Sequence, residues 1–412
     1  MTDHFDALET RDPATRECEL MARLPAQIAH AKANAPWFAE SLCDIDTSAV
    51  TSRESLARLP VVRKHELIEL QKKHRPFGGL VASRWGQMGR VFSSPGPIYE
   101  PEGRNPDYWR TARALFAAGF RAGDLVHNGF SYHMTPGGWI MEGGALALGC
   151  SVFPGGVGQT EQQVQAMADL QPHGYVGTPS FLRILLEKAD ELGIQLSLSK
   201  ALVSGEAFLP PVREALAARG VVGYQCYATA DLGVIAYESL ARNGMIVDEA
   251  VILEIVRPGT GDPVPAGEVG EVVVTTFNQT YPLIRFGTGD LSAIVPESLS
   301  EASSCGRTNL RIKGWMGRAD QTTKVKGMFV HPEQIAAVQK RHPDILRARL
   351  VVTNPDSTDA MTLHCESGGS GLEAAIADSL RELTKLRGEV CIVAPGSLPN
   401  DGKVIEDARK YD

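Results

Sequence analysis

The sequence predicts an α/β protein with a large N-terminal domain, built on mostly parallel sheets plus an antiparallel segment, and a small α+β C-terminal domain. Three observations predict it. Between residues 105 and 226, short apolar stretches alternate with stretches of helical period, the pattern of βαβ units. Between residues 245 and 296, the apolar runs AVILEIVRP and EVGEVVVTTF flank the turn-rich GTGDPVPAG, which reads as an antiparallel hairpin or meander. Beyond about residue 317, strand and helix patterns recur over a stretch the size of a separate domain.

In chain order, the first ninety residues are helical and polar-rich, with Leu20, Leu24, Ile28 and Ala31 at helical spacing and Pro60 and Pro76 as punctuation. DYWRTARALFAAGF places Trp109, Ala112, Leu115 and Phe116 on one helical stripe. The segments GDLVHNGFS, CSVFPGG, GYVGTP, KALVSGE and VVGYQCYA read as strands, and helical patterns separate them. Ligands of such sheets sit beyond the carboxyl ends of the strands, so the loops beginning at Phe130, Gly155, Thr178, Ser204 and Tyr227 are the places to look. The small C-terminal unit reads as a strand, a helix (HPEQIAAVQKRH), strands ARLVVTN and MTLHCES, a helix with Leu372, Ile376, Leu380 and Leu383, and the strand EVCIVAP. No internal repeat or low-complexity linker interrupts the chain.

At roughly 150 residues per domain, 412 residues imply two or three domains. Hydrophobic residues make up 43% and charged residues 22%, which is globular composition. Forty-nine acidic against 41 basic residues give −8, which argues against a nucleic-acid binder. The N-terminal stretch lacks the basic patch and apolar run of a signal peptide, and no run of about 18 apolar residues predicts a membrane span. Seven scattered cysteines without a C-x-x-C fit reduced thiols, and the expected compartment is the cytoplasm. No Walker-type phosphate loop, H-E-x-x-H or G-x-S-x-G occurs. Gly155, Gly156 and Gly158 stand between a strand and a helix, either as an ordinary turn or as an anion cradle, with Glu161 where a third glycine would be wanted. His364 and Cys365 are neighbours in a strand and face opposite sides, which disfavours a joint metal site.

Several segments in collinear order resemble the phenylacetate–CoA ligase family of the adenylate-forming superfamily. They are RLPAQIAHAKANAPWFAESL, SLARLPVVRKHELIE, FSSPGPIYEPEG, TPSFLRIL, SGEAF, QCYATADLG, PLIRFGTGDL, GRADQTTKVKGMFVHPEQI and DGKVIEDARK, and they cover nearly the whole chain. The resemblance implies an N-terminal adenylate- and acyl-binding domain over residues 1–317 and a small, mobile C-terminal domain over residues 318–412. It implies that a carboxylic acid reacts with ATP to give an acyl adenylate and pyrophosphate, after which the thiol of CoA displaces AMP. A carrier-protein thiol or an amine as acceptor, and a catalytically weak nucleotide-binding relative, are the alternatives. The family also suggests a homodimer.

Carried over residue by residue, the resemblance assigns Lys403 as the catalytic lysine that bridges the carboxylate and the α-phosphate. It assigns Asp290 and Arg318 to the ribose, Ser204, Gly205 and Glu206 to adenine, and Tyr227 with Ala228 to the base-stacking loop. Asp231 stands where a glutamate usually helps to hold Mg²⁺, and Asp320 matches the hinge between the domains. Ser93 and Ser94 match the phosphate loop, but Pro95 and Pro97 replace flexible positions, no lysine follows closely, and Glu100 and Glu102 bring negative charge. Arg104 is a candidate helper for the phosphates. The stretch AYESLARNGMIVDE lacks the Cys and His of some relatives, so no zinc is expected. For the acyl pocket, Phe130, Tyr132, His133, Gly137 and Trp139, with Gly155 on the neighbouring strand end, suit a flat aryl acid. Trp139 is equally readable as core, and His133 as a structural histidine.

Overall fold

The computed structural model describes residues 3–409 apart from 96, 320, 322, 326, 327, 354, 356–358 and 370. The expected α/β architecture is present. One sheet has eight strands in the order Arg311–Ile312, Met245–Val247, Gly233–Tyr237, Val222–Thr229, Lys200–Val203, Gly174–Gly177, Leu125–Asn128 and Ser151–Phe153. The last five pair in parallel. Helices Gly137–Ala147, Thr160–Leu170, Pro179–Glu191 and Pro210–Ala218 link them, as parallel neighbours need crossovers. The turn after Val222–Thr229 reverses the chain, so Gly233–Tyr237 returns antiparallel.

A second, four-stranded sheet carries Val251–Val256, Gly270–Thr276 and Phe286–Ser292 as an antiparallel meander, as the sequence pattern predicts. All three are buried along their length, which explains their near-continuous apolar texture. Its outer strand, Val62–Arg63, pairs in parallel with Phe286–Ser292 and comes from the region expected to be helical. Two residues are too few to show a period of two, so the sequence carries no signal for it.

Two further departures concern the site. The segment read as a phosphate loop is a hairpin of Arg90–Ser94 and Ile98–Glu102, with Ser94 opposite Ile98 and Phe92 opposite Glu100. Tyr227, expected to begin a loop, lies inside the strand Val222–Thr229, which runs further than its apolar stretch.

The C-terminal part has its own core, including Ile335, Leu350, Leu363, Ile376, Leu380 and Ile405. Helices Pro332–Arg341 and Glu373–Thr384 accompany a sheet in the order Glu389–Val393, Ala360–Glu366, Arg347–Thr353 and Ile405–Asp407. Leu372 caps the second helix instead of lying within it. Ile405–Asp407 was not anticipated; it pairs in parallel with Arg347–Thr353 and fixes the chain just after Lys403. Among the described residues, no helix is long and apolar enough to cross a membrane.

The meander is anchored by one buried cation. Arg285, at φ 48°, donates to both oxygens of Glu254 at 2.9 and 3.0 Å and to the carbonyls of Ala57, Leu59 and Gly261 at 2.6–2.7 Å. Its removal would leave Glu254 buried without a counter-charge. Arg285→Met is therefore expected to destabilise the fold by about 3–5 kcal/mol, read as a drop in the midpoint of denaturant unfolding. A shift below about 1 kcal/mol would contradict this role.

Candidate active site

A cavity of about 400 Å³ opens beside the ends of the strands Lys200–Val203 and Val222–Thr229, lined among others by Ser204, Gly205, Tyr227, Ala228, Asp290 and Trp315. This is the carboxyl end of the parallel strands. Ser204 donates from Oγ to the carbonyl of Cys226 at 2.8 Å, which ties the two strand ends together. Gly205 has φ +81°, and a Cβ there would lie 3.6 Å from the Phe130 ring. The backbone thus takes a shape that favours glycine and leaves one side open to the ring. Glu206 also lines the cavity and accepts from Ser180 Oγ at 2.8 Å.

Asp290, 9% exposed, is the polar centre of the cavity. Its Oδ2 accepts from the Tyr227 hydroxyl at 2.9 Å, and its Oδ1 accepts from Trp315 Nε1 at 3.1 Å and Arg318 Nη1 at 2.8 Å. A carboxylate offers about four acceptor sites, so this arrangement leaves about one for a ligand. The expected pair of ribose bonds therefore requires Trp315 or Arg318 to move, and both side chains are about half exposed. Burial and the Asp290 carboxylate push the Tyr227 phenol well above its ordinary value, so it stays protonated and donates.

Behind the cavity is a denser acidic cluster. Asp231, 3% exposed, lies in the turn before Gly233–Tyr237; its Oδ2 accepts from Lys64 Nζ at 2.7 Å and its Oδ1 has no partner. Lys64 arrives there because Val62–Arg63 pairs with the strand that carries Asp290. An orphaned buried oxygen suits a hard cation. Among the described residues, no three His, Cys, Asp or Glu side chains form a metal group, and Asp231 Oδ1 is the oxygen that would serve a cation as a single ligand. Glu100, fully buried in the hairpin, accepts from Ser94 through both its hydroxyl and its N–H, the latter at 3.3 Å. The Ser93 N–H donates to the carbonyl of Met134 at 2.9 Å.

On the acyl side, Phe130 packs against both Gly205 and Gly137, where added Cβ atoms would lie 3.6 and 3.5 Å from its ring. Tyr132 donates to Glu142 at 2.8 Å and accepts from Asn128 Nδ2 at 2.7 Å. Trp139 donates to the carbonyl of Tyr132 at 3.2 Å and packs on the core of Phe92, Tyr108, Trp109 and Ile140, beneath Arg90. That favours the core reading of Trp139. His133 is exposed. Gly155 has a packing reason: a Cβ would lie 2.6 Å from Gln163 Oε1 and 2.8 Å from His127 Nε2. Gln163 donates to the carbonyls of Gly156 and Gly158 at 3.1 and 2.7 Å, so the glycine turn is held from within. Burial lowers the His127 imidazole below its ordinary value and keeps it neutral.

Lys403 is exposed and borders a separate cleft with Arg257, Glu268 and Val269, away from the cavity of Asp290. This part of the small domain is fastened to the large one by Asn400, which accepts from Val269 N–H and donates to the carbonyl of Gly267, both at 3.1 Å. Asp320 lies outside the described residues. The structure thus brings together Ser204, Gly205, Glu206, Tyr227, Ala228, Asp290, Arg318 and Phe130, and leaves Lys403 apart. Sequence reasoning missed Lys64 and Trp315; a lysine in a basic segment and a tryptophan after a glycine carried no signal of what they face.

No family model matches the chain. The sequence is 31% identical over 354 residues to the phenylacetate-coenzyme A ligase of Thermus thermophilus, covering 82% of this chain and 78% of that one. The chain belongs to the phenylacetate–coenzyme A ligase family. It is an AMP-forming acid–CoA ligase. The Escherichia coli K12 phenylacetate-coenzyme A ligase is 27% identical over 433 aligned positions, covering 97% of this chain and 96% of that one. Among solved structures, 2-hydroxyisobutyryl-CoA ligase in complex with 2-HIB-AMP and CoA, in the thioesterification state, has a TM-score of 0.71 at 26% identity and covers 99% of this chain and 93% of that one.

Within this ligase, burial and then the Asp231 carboxylate push the Glu100 carboxyl up to about 8 from an ordinary 4.5. The folded state therefore holds a proton that the unfolded chain releases. This contribution to stability is full below about pH 4.5 and is lost as pH rises through about 8. Glu100→Gln removes the titration, so its melting temperature should gain on the unsubstituted protein between pH 5 and pH 8.5, roughly the window of the shift. Parallel melting curves across that window would contradict the raised value.

Proposed function

We propose that the protein converts an aromatic carboxylic acid, ATP and Mg²⁺ to an acyl adenylate and pyrophosphate in the cavity around Asp290, and then passes the acyl group to CoA. The observation that carries the reading is the convergence of Asp290, Tyr227, Gly205 and Phe130 at the carboxyl end of the parallel strands. Asp290 and Arg318 hold the ribose, and the opened backbone at Gly205 lies along adenine. The acid enters on the Phe130 side, where an aromatic ring and glycine backbone suit a planar group. A divalent cation at Asp231 would neutralise charge on the phosphates. An acid oxygen attacks the α-phosphorus, the bond to the β-phosphate oxygen breaks, and pyrophosphate leaves. The CoA thiol then loses its proton and attacks the acyl carbonyl, and AMP departs.

In this scheme residues 318–412 move as a unit about a hinge at Asp320, and the exposed Lys403 swings to the cavity for the first step. Its ammonium then meets charge that develops on the acid and the α-phosphate. Seven free thiols accord with work in the cytoplasm. A second reading, a small hydroxy acid as substrate, is favoured by Phe130, which fills the space between Gly137 and Gly205. A carrier-protein thiol or an amine in place of CoA would leave the first step unchanged.

The test is acid-dependent exchange of pyrophosphate into ATP with a panel of aryl and small hydroxy acids. Exchange with aryl acids is the expected result, and exchange with hydroxy acids alone would select the second reading. Lys403→Ala should lower the exchange rate by about 10²–10³-fold and leave AMP binding unchanged. Undiminished exchange would remove the lysine from the first step.

A further inference from the structure

We propose that Glu100 is an internal stand-in for a phosphate group: its carboxyl occupies donors that a polyphosphate needs, and so sets how tightly ATP is held relative to AMP. The inference rests on the reading of the cavity as an ATP site and deepens it.

Glu100 is fully buried, an unusual position for an acid without a fixed cation of its own. What it has is the hydroxyl and the N–H of Ser94, itself buried. Close by is the Lys64 ammonium, which is bonded to Asp231 and also feels Glu100 and Asp290. A main-chain N–H and a hydroxyl on one acidic group, with an ammonium on the neighbouring carboxylate, are the kind of donors an oxyanion site uses. Here the acid is part of the chain.

Among its described residues, the turn offers little else. Pro95 and Pro97 have no N–H, and that of Ser93 is committed to Met134. Two buried polar atoms next to the cluster, Asp231 Oδ1 and the Tyr281 hydroxyl, have no partner, and Tyr281 feels both Asp231 and Glu100. The hairpin is thus built tightly around an acid while neighbouring groups stay unsatisfied. Buried unsatisfied groups carry a cost in free energy that a ligand or a rearrangement of the cluster relieves.

A β- or γ-phosphate entering here competes with Glu100 for the two donors of Ser94, and meets a like charge whenever Glu100 is ionised. AMP has neither phosphate and escapes this competition. The hairpin is itself fixed on its far side, because Gln71 bonds the N–H and carbonyl of Tyr99 at 2.8 and 2.9 Å. Glu100 therefore yields through its side chain, while its strand stays in place.

The test is calorimetric binding of ATP and of AMP to the full chain at pH 8.5, where the Glu100 carboxyl is largely ionised. Glu100→Ala should tighten ATP by about tenfold, the scale of one charge-assisted hydrogen bond, and leave AMP within about twofold. Glu100→Gln keeps the shape and an acceptor for Ser94 and should shift ATP in the same direction by less; it carries the test if the alanine variant does not fold. An unchanged ATP-to-AMP affinity ratio in both variants, or weaker ATP binding, overturns the proposal and leaves the ATP-site reading intact. Failure of the unsubstituted protein to bind either nucleotide overturns both.

Discussion

The carboxylate of Asp290 takes hydrogen bonds from Tyr227, Trp315 and Arg318, groups that reach it from two separate parts of the chain. Tyr227 belongs to the eight-stranded sheet and Asp290 to the four-stranded one, so this carboxylate joins the sheets where the cavity opens. Arg318 bonds it at the start of the C-terminal segment, so the same acid sits at the root of the part that carries Lys403. A buried carboxylate left without those donors would be costly, so its position and theirs are mutually fixed. The cavity has a definite floor for that reason.

The neighbouring cluster has the opposite character. Lys64 faces Asp231, Glu100 and Asp290, so acid exceeds base, and a proton on Glu100 restores the balance. A family whose phosphate loop is normally flexible and rich in donors has here a proline-bounded hairpin with a glutamate in its interior. The electrostatics of this corner are set by that glutamate and by Asp231. Affinity for polyphosphate is the property most exposed to that change.

Much of this was readable from residues. The parallel strands from Leu125 to Thr229 announce themselves by short apolar stretches between helical periods, and the meander by runs buried on both faces. What escaped has a common physical cause. Val62–Arg63 and Ile405–Asp407 are too short to show periodicity, and they exist because a distant strand offers them hydrogen bonds. The roles of Lys64 and Trp315 come from what they meet across the fold, which no local pattern encodes. At Gly155, the approach of His127 and Gln163 leaves no room for a Cβ, a packing constraint that no local pattern encodes. Asp290, Tyr227 and Gly205 line one cavity, and it is the collinear order of the motifs, and not any single one of them, that points to these positions.

The most direct test of the account is mass-spectrometric detection of the acyl-CoA formed when the purified protein is given ATP, Mg²⁺, CoA and equal amounts of phenylacetate and 2-hydroxyisobutyrate. The account predicts the phenylacetate thioester as the main product, with AMP formed one for one. Formation of AMP without any CoA thioester, or of the 2-hydroxyisobutyrate thioester alone, would contradict it.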